Sequence, residues 1–201
     1  MTKVIDFIFD FASPNAYFAY KVLPDIAKRH NAVIHYNPCL LGGIFKATGN
    51  QAPFMAFGHV KGKLDYERLE ISRFIKKHGL NKFRMNPNFP VNSLILMRAA
   101  IAADNAGTLN AFIDTGMKAM WEDGCKMDDP KVFTSVMSDA GFDGSALLTA
   151  TQDPMIKSKL MENTAAVVER GCFGIPSFFL GDDMYFGKDR LVAVEEALTE
   201  T

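Results

Sequence analysis

The chain opens with closely spaced apolar positions and then settles into helical periods. Val4-Ile5-Asp6-Phe7-Ile8-Phe9-Asp10-Phe11 is β-branched and aromatic, which predicts a strand ending at Ala12-Ser13-Pro14. Serine before proline suits an N-cap followed by the first helical residue, and Ala16 to Arg29 then carries apolar residues at helical spacing. A second short strand, Ala32-Val33-Ile34-His35-Tyr36-Asn37-Pro38, stops at a proline that cannot continue a central ladder. From about Gly42 to about Arg170 the periods are helical, as in Asp65 to Lys77, Ser93 to Ala106 and Leu109 to Trp121. Ile175 to Leu180 then predicts a strand, Gly181-Asp182-Asp183 a turn, Met184-Tyr185-Phe186 the hairpin partner, and Asp189 to Leu198 a closing helix.

A βαβ opening, a long helical stretch and a ββα ending match an α/β thioredoxin-like domain with an inserted α-helical domain. The expected division is 1–57 plus 166–201 for the first and 58–165 for the second.

Composition narrows the function. At 201 residues, 48% hydrophobic and 22% charged, the chain can bury one or two cores. A formal net charge of -1 gives no field for nucleic acid or an anionic membrane, so an anionic ligand needs local groups. No run approaches the roughly 20 apolar residues of a spanning helix. Asp6 falls where a signal peptide needs an apolar core, so a cytoplasmic protein is expected. Cys39, Cys125 and Cys172 form no Cys-x-x-Cys pair and read as buried, reduced core residues. His30, His35, His59 and His78 lack ligand spacing, so no metal site is expected.

Candidate chemistry begins at Ser13-Pro14-Asn15-Ala16, where the free amides of a helix start face the end of a strand. Thioredoxin-like oxidoreductases carry Cys-x-x-Cys on such a turn, and the helix end stabilises the thiolate. Here serine replaces the first cysteine and alanine the second. Ala16 removes disulfide chemistry, while the Ser13 hydroxyl remains able to hold the thiolate of a bound thiol cofactor, or simply to cap the helix. Ile175-Pro176 precedes a strand, where a cis proline would expose the backbone of Ile175 to an extended ligand; an ordinary trans turn is the alternative.

Five segments together resemble the 2-hydroxychromene-2-carboxylate isomerase family and, more distantly, the kappa-class glutathione transferases, which share a DsbA-like architecture. They are Asp10-Phe11-Ala12-Ser13-Pro14-Asn15, Gly42 to Asn50, Phe89-Pro90-Val91-Asn92-Ser93, Gly171-Cys172-Phe173-Gly174-Ile175-Pro176 and Phe186-Gly187-Lys188-Asp189-Arg190. The resemblance runs over nearly the whole chain.

It implies a glutathione site. Ser13 would hydrogen-bond the cofactor sulfur, and the Ile175 backbone beside Pro176 would pair with the cysteinyl part. Asn50 and Lys63 would contact the glycyl end, with Lys61 a competitor for the second place. Asp189 and the Lys188 backbone would hold the γ-glutamyl end, although Lys188 departs from the uncharged residue expected there. Taken singly, Lys63 and Asp189 also read as solvated surface charges. Asn92 and Ser93 read equally as helix caps or functional groups, and Phe45, Phe54, Met55 and Phe57 as core or as the wall of an aromatic pocket. The implied activity is glutathione-dependent cis-trans isomerisation in aromatic catabolism, by a homodimer acting on a small aromatic substrate. Glutathione transfer or peroxide reduction at the same site is the first alternative, and a redox-dead, non-catalytic DsbA-like binding protein is the second.

Overall fold

A computed structural model describes residues 3–200 of the chain, with the side chain of Glu200 outside the description as well. The elements run β1 (Val4–Phe9), α1 (Pro14–Arg29), β2 (Val33–Pro38), α2 (Leu41–Thr48), α3 (Pro53–Ala56), α4 (Lys63–His78), α5 (Leu94–Asn105), α6 (Leu109–Trp121), α7 (Pro130–Asp139), α8 (Gly144–Ala150) and α9 (Pro154–Glu169). They close with β3 (Ser177–Leu180), β4 (Asp183–Phe186), a 3-10 turn at Lys188–Arg190 and α10 (Leu191–Glu200). The sheet order is β2-β1-β3-β4, with β1 parallel to β2 and antiparallel to β3. This is the DsbA-like thioredoxin fold with its run of helices between β2 and β3.

β1 is central, and that explains its near-continuous apolar sequence: both of its faces are covered. Ile5, Phe7, Ile8 and Phe9 are fully buried. Phe7 stacks on Phe178 of β3 at 5.2 Å between ring centroids and meets Tyr36 of β2 edge-on at 5.9 Å. Each such fully buried aromatic contributes about 2–3 kcal/mol relative to exposure. β1 ends at Phe9 rather than Phe11, because the Asp10 carboxylate accepts the Ala12 N–H at 2.8 Å and turns the chain away from the ladder.

α1 begins as its Ser-Pro pair predicts. Ser13 has an extended backbone, its hydroxyl accepts the Ala16 N–H, and Pro14 opens the helix. Lys28 and Arg29 complement the carbonyl end. Inward, α1 buries Tyr17, Phe18, Leu23 and Ile26.

β3 starts at Ser177, two residues later than the sequence predicts, because Pro176 has no N–H for a ladder; the Ile175-Pro176 bond is cis. The hydrophobic helices α5 and α6 carry the middle of the core, whereas α4 has no fully buried residue. α9 lies against α2, α5 and β2, where the Thr164 hydroxyl accepts the Leu40 N–H at 3.0 Å. Among the described residues, no helix is long and apolar enough to cross a membrane.

All three cysteines are free. Cys39 and Cys172 are buried as expected, but Cys125 is only half-buried, because it lies in the loop after α6. Burial pushes the Cys39 thiol well up, which keeps it protonated.

Candidate functional site

Ser13 sits where β1 hands over to α1, at the N-terminus of a 16-residue helix. The amides there carry roughly half a unit of positive charge, so the position favours an anion. The Ser13 hydroxyl is nearly buried, with 5% of the residue exposed. It donates to the Ile175 carbonyl at 3.3 Å while accepting from Ala16 at 3.2 Å. The fold therefore joins Ser13 to the cis Ile175-Pro176 pair across more than 160 residues of sequence.

Two further hydrogen bonds reach the same loop at its backbone carbonyls, one of them from the predicted Asn50. The Asn50 carboxamide donates to the Phe173 carbonyl at 2.8 Å, tying the end of α2 to the segment before the cis proline. Gly187 donates its N–H to the Pro176 carbonyl at 2.8 Å, with a φ of 92° that side-chain-bearing residues rarely adopt. That bond sets the following Lys188 and Asp189 beside the proline loop.

Lys188 is buried at 5% exposure, with its ammonium 2.5 Å from the Asp189 carboxylate and 5.0 Å from the centre of the Phe74 ring of α4. The aliphatic stem and cation are thus held against the helical insert, while Asp189 stays 64% exposed. Both residues line a cleft of about 570 Å³ between α1, α4 and α10, alongside Asp25, Arg29 and Lys77.

Lys63 is placed apart from this cluster. It begins α4, pairs with Glu67 at 3.5 Å and lies over the Phe57 ring at 5.5 Å, while its competitor Lys61 is exposed. Of the expected aromatic wall, Phe54 packs edge-on against Phe89 at 5.7 Å and is 44% exposed. Asn92 accepts the Leu94 N–H and so helps cap α5. Ser93 makes no cap bond; it is buried near Asp10, whose charged form it favours.

Three features were missed at the level of sequence. Asp10 is completely buried three residues before Ser13, and burial raises its carboxyl pKa against the lowering effect of the Ala12 and Leu41 N–H groups and the nearby Ser93 hydroxyl. An acid inside an apolar strand is a visible anomaly and was the available signal. Asn15 places its side-chain oxygen in a buried spot with no partner, in the first turn of α1. Phe173 and Phe186 pack on each other at 4.6 Å and remain about two-fifths exposed beside the proline loop. The Phe186 ring lies where a Cβ on Gly174 would fall, at 2.7 Å, so glycine is needed there.

Chemically, the site offers a capped hydroxyl, a helix N-terminus, the backbone of a buried cis-proline pair and two accessible aromatic faces. With Ala16 in place of a second thiol, the turn itself has no dithiol chemistry.

Residues 4–199 match the DSBA-like thioredoxin domain family. The chain is 30% identical over 203 residues to a Pseudomonas putida protein named 2-hydroxychromene-2-carboxylate isomerase, covering 97% of this chain and 94% of the relative. It is 25% identical over 209 residues to the Rattus norvegicus protein named Glutathione S-transferase kappa 1, covering 98% and 92%. A solved 2-hydroxychromene-2-carboxylate isomerase superposes with a TM-score of 0.84 at 29% identity, covering 98% of this chain and 95% of that one.

Proposed function

The chain belongs to the 2-hydroxychromene-2-carboxylate isomerase family, within the DSBA-like thioredoxin domain family, and from that premise we propose that it is a glutathione-dependent cis-trans isomerase of small aromatic-ring catabolites. The observation that carries this reading is the Ser13 hydroxyl, capped at the start of α1 and hydrogen-bonded to Ile175 of the cis-proline loop, with alanine where a redox pair needs its second cysteine.

The residues fit glutathione. Asn15 keeps a buried acceptor without a protein partner beside the Ser13 turn, and a bound donor group would satisfy it. Ser13 would hold the sulfur by turning its single O–H away from the Ile175 carbonyl, and the Ile175 backbone would take the cysteinyl part. Asn50 and Lys63 would take the glycyl end, and Asp189 with the Lys188 backbone the γ-glutamyl end. When bound, glutathione supplies a thiol nucleophile able to add to and leave a conjugated double bond. The protein's part is electrostatic and positional. The Ser13 O–H and the α1 amides favour negative charge at one point, the cis-proline backbone fixes the ligand's direction, and Phe173 and Phe186 offer apolar faces to a planar substrate.

Titration calorimetry with reduced glutathione, on the wild type and on Ser13→Ala, tests the reading. Saturable binding is expected, with conversion of 2-hydroxychromene-2-carboxylate that requires glutathione without consuming it. Ser13→Ala should lose about tenfold or more in turnover, a hydrogen bond to a charged group being worth roughly 1.5–3 kcal/mol. No binding by the wild type up to millimolar glutathione would overturn it. The kappa-named relatives favour one second reading, glutathione transfer to an electrophile, and stoichiometric loss of glutathione during turnover separates the two.

A further inference from the structure

A carboxylate buried among phenylalanines is costly unless its lone pairs are filled. Asp10 is fully buried between Phe9 and Phe11, and each of its two oxygens accepts a backbone N–H. Oδ1 accepts the Ala12 N–H at 2.8 Å, and Oδ2 accepts the Leu41 N–H at the start of α2, also at 2.8 Å. The Ser93 hydroxyl, just before α5, lies close enough to favour the charged carboxylate. The backbone carbonyl of Asp10 accepts the Ser13 N–H at 3.1 Å. One residue therefore ties the turn that carries Ser13 to the start of α2.

We propose that Asp10 is a positioning residue for the Ser13 site: its carboxylate clamps the Ala12-Ser13 turn against the start of α2, and so sets where the Ser13 hydroxyl points. It acts through the backbone of Ala12 and Ser13, not by touching a ligand. A neutral isostere cannot replace it. Asparagine has one accepting oxygen, and its NH2 group would face an N–H that also needs an acceptor. The clamp is reinforced from the other side, where the indole N–H of Trp121 donates to the Phe11 carbonyl at 2.9 Å. The activity part of this inference rests on the glutathione reading of the site; the structural part does not.

The test pairs Asp10→Asn with Ser13→Ala in a double-mutant cycle, and follows amide hydrogen exchange in parallel. Exchange at Ser13 and Ala16, whose amides the carboxyl does not itself accept, is expected to speed up about tenfold in Asp10→Asn while the amides of α9 stay unchanged. Turnover is expected to fall about tenfold in the wild-type background but less than about twofold in the Ser13→Ala background, the mark of groups acting as a unit. Equal losses in both backgrounds, or unchanged exchange at Ser13 and Ala16, overturn the proposal. If the wild type takes up no glutathione, the reading of the site fails, and the exchange data alone still decide whether Asp10 holds the turn. Should Asp10→Asn fail to fold, Asp10→Ser, which keeps one accepting oxygen on a smaller side chain, carries the same comparison with the same expected losses.

Discussion

Replacing Trp121 by phenylalanine isolates a hydrogen bond that holds the chain just before the site. The indole N–H donates to the Phe11 carbonyl at 2.9 Å, and both residues are fully buried. Phenylalanine has no donor, and water cannot easily reach the orphaned carbonyl, so that group alone costs about 1–3 kcal/mol. The smaller ring also loosens the contacts with Phe83 and Phe89, each 6.1 Å away between centroids, for about another 1 kcal/mol. The total is about 3 kcal/mol. For a chain of this length each kcal/mol lowers the melting temperature by about 2–4 °C, so a fall of about 6–12 °C is expected. Far-UV circular dichroism is the assay to use, because Trp121 is the sole tryptophan and its fluorescence is lost in the variant. A fall of less than about 2 °C would show that the Phe11 carbonyl does not depend on the indole, and would refute the reasoning.

His35 is raised chiefly by its hydrogen bond to Asp6. Asp6 is lowered despite burial, which opposes the shift, by hydrogen bonds from His35 and Arg170. The His35 contribution is complete below its ordinary value of 6.5 and disappears as pH rises through its higher folded value, while that of Asp6 is lost as pH falls through a value below 3.8. The stability gap between wild type and His35→Gln should therefore be widest near pH 4–6, at no more than about 1 kcal/mol for so exposed a pair, and close above neutrality; melting curves across pH that show a constant gap would contradict this. Gly144 opens α8 against the Thr134 carbonyl and the Ser138 hydroxyl, so Gly144→Ala should destabilise by about 2 kcal/mol or more. Gly42→Ala, with nothing within 4 Å, should be neutral or stabilising by about 0.5–1 kcal/mol, and urea midpoints for the two variants check the contrast.

What the chain determines by itself is local. The apolar run of β1, the Ser13-Pro14 start of α1, the proline stop of β2, and the hairpin at Gly181 are readable because each depends on residues within a few positions of one another. The replacement of a cysteine pair by Ser13 and Ala16 is equally plain, and it excludes dithiol chemistry on that turn without any coordinates. Tertiary structure decided where those pieces meet. That the Ser13 hydroxyl faces Ile175, that Asn50 grips the Phe173 carbonyl, and that Lys188 folds its charge under Phe74 are consequences of strands and helices packing across long stretches of chain. Asp10 shows the difference most clearly. Its presence at the end of an apolar run is visible in the sequence, but its partner Leu41 is far away along the chain, and only the packing of α2 onto the end of β1 turns a buried acid into a clamp.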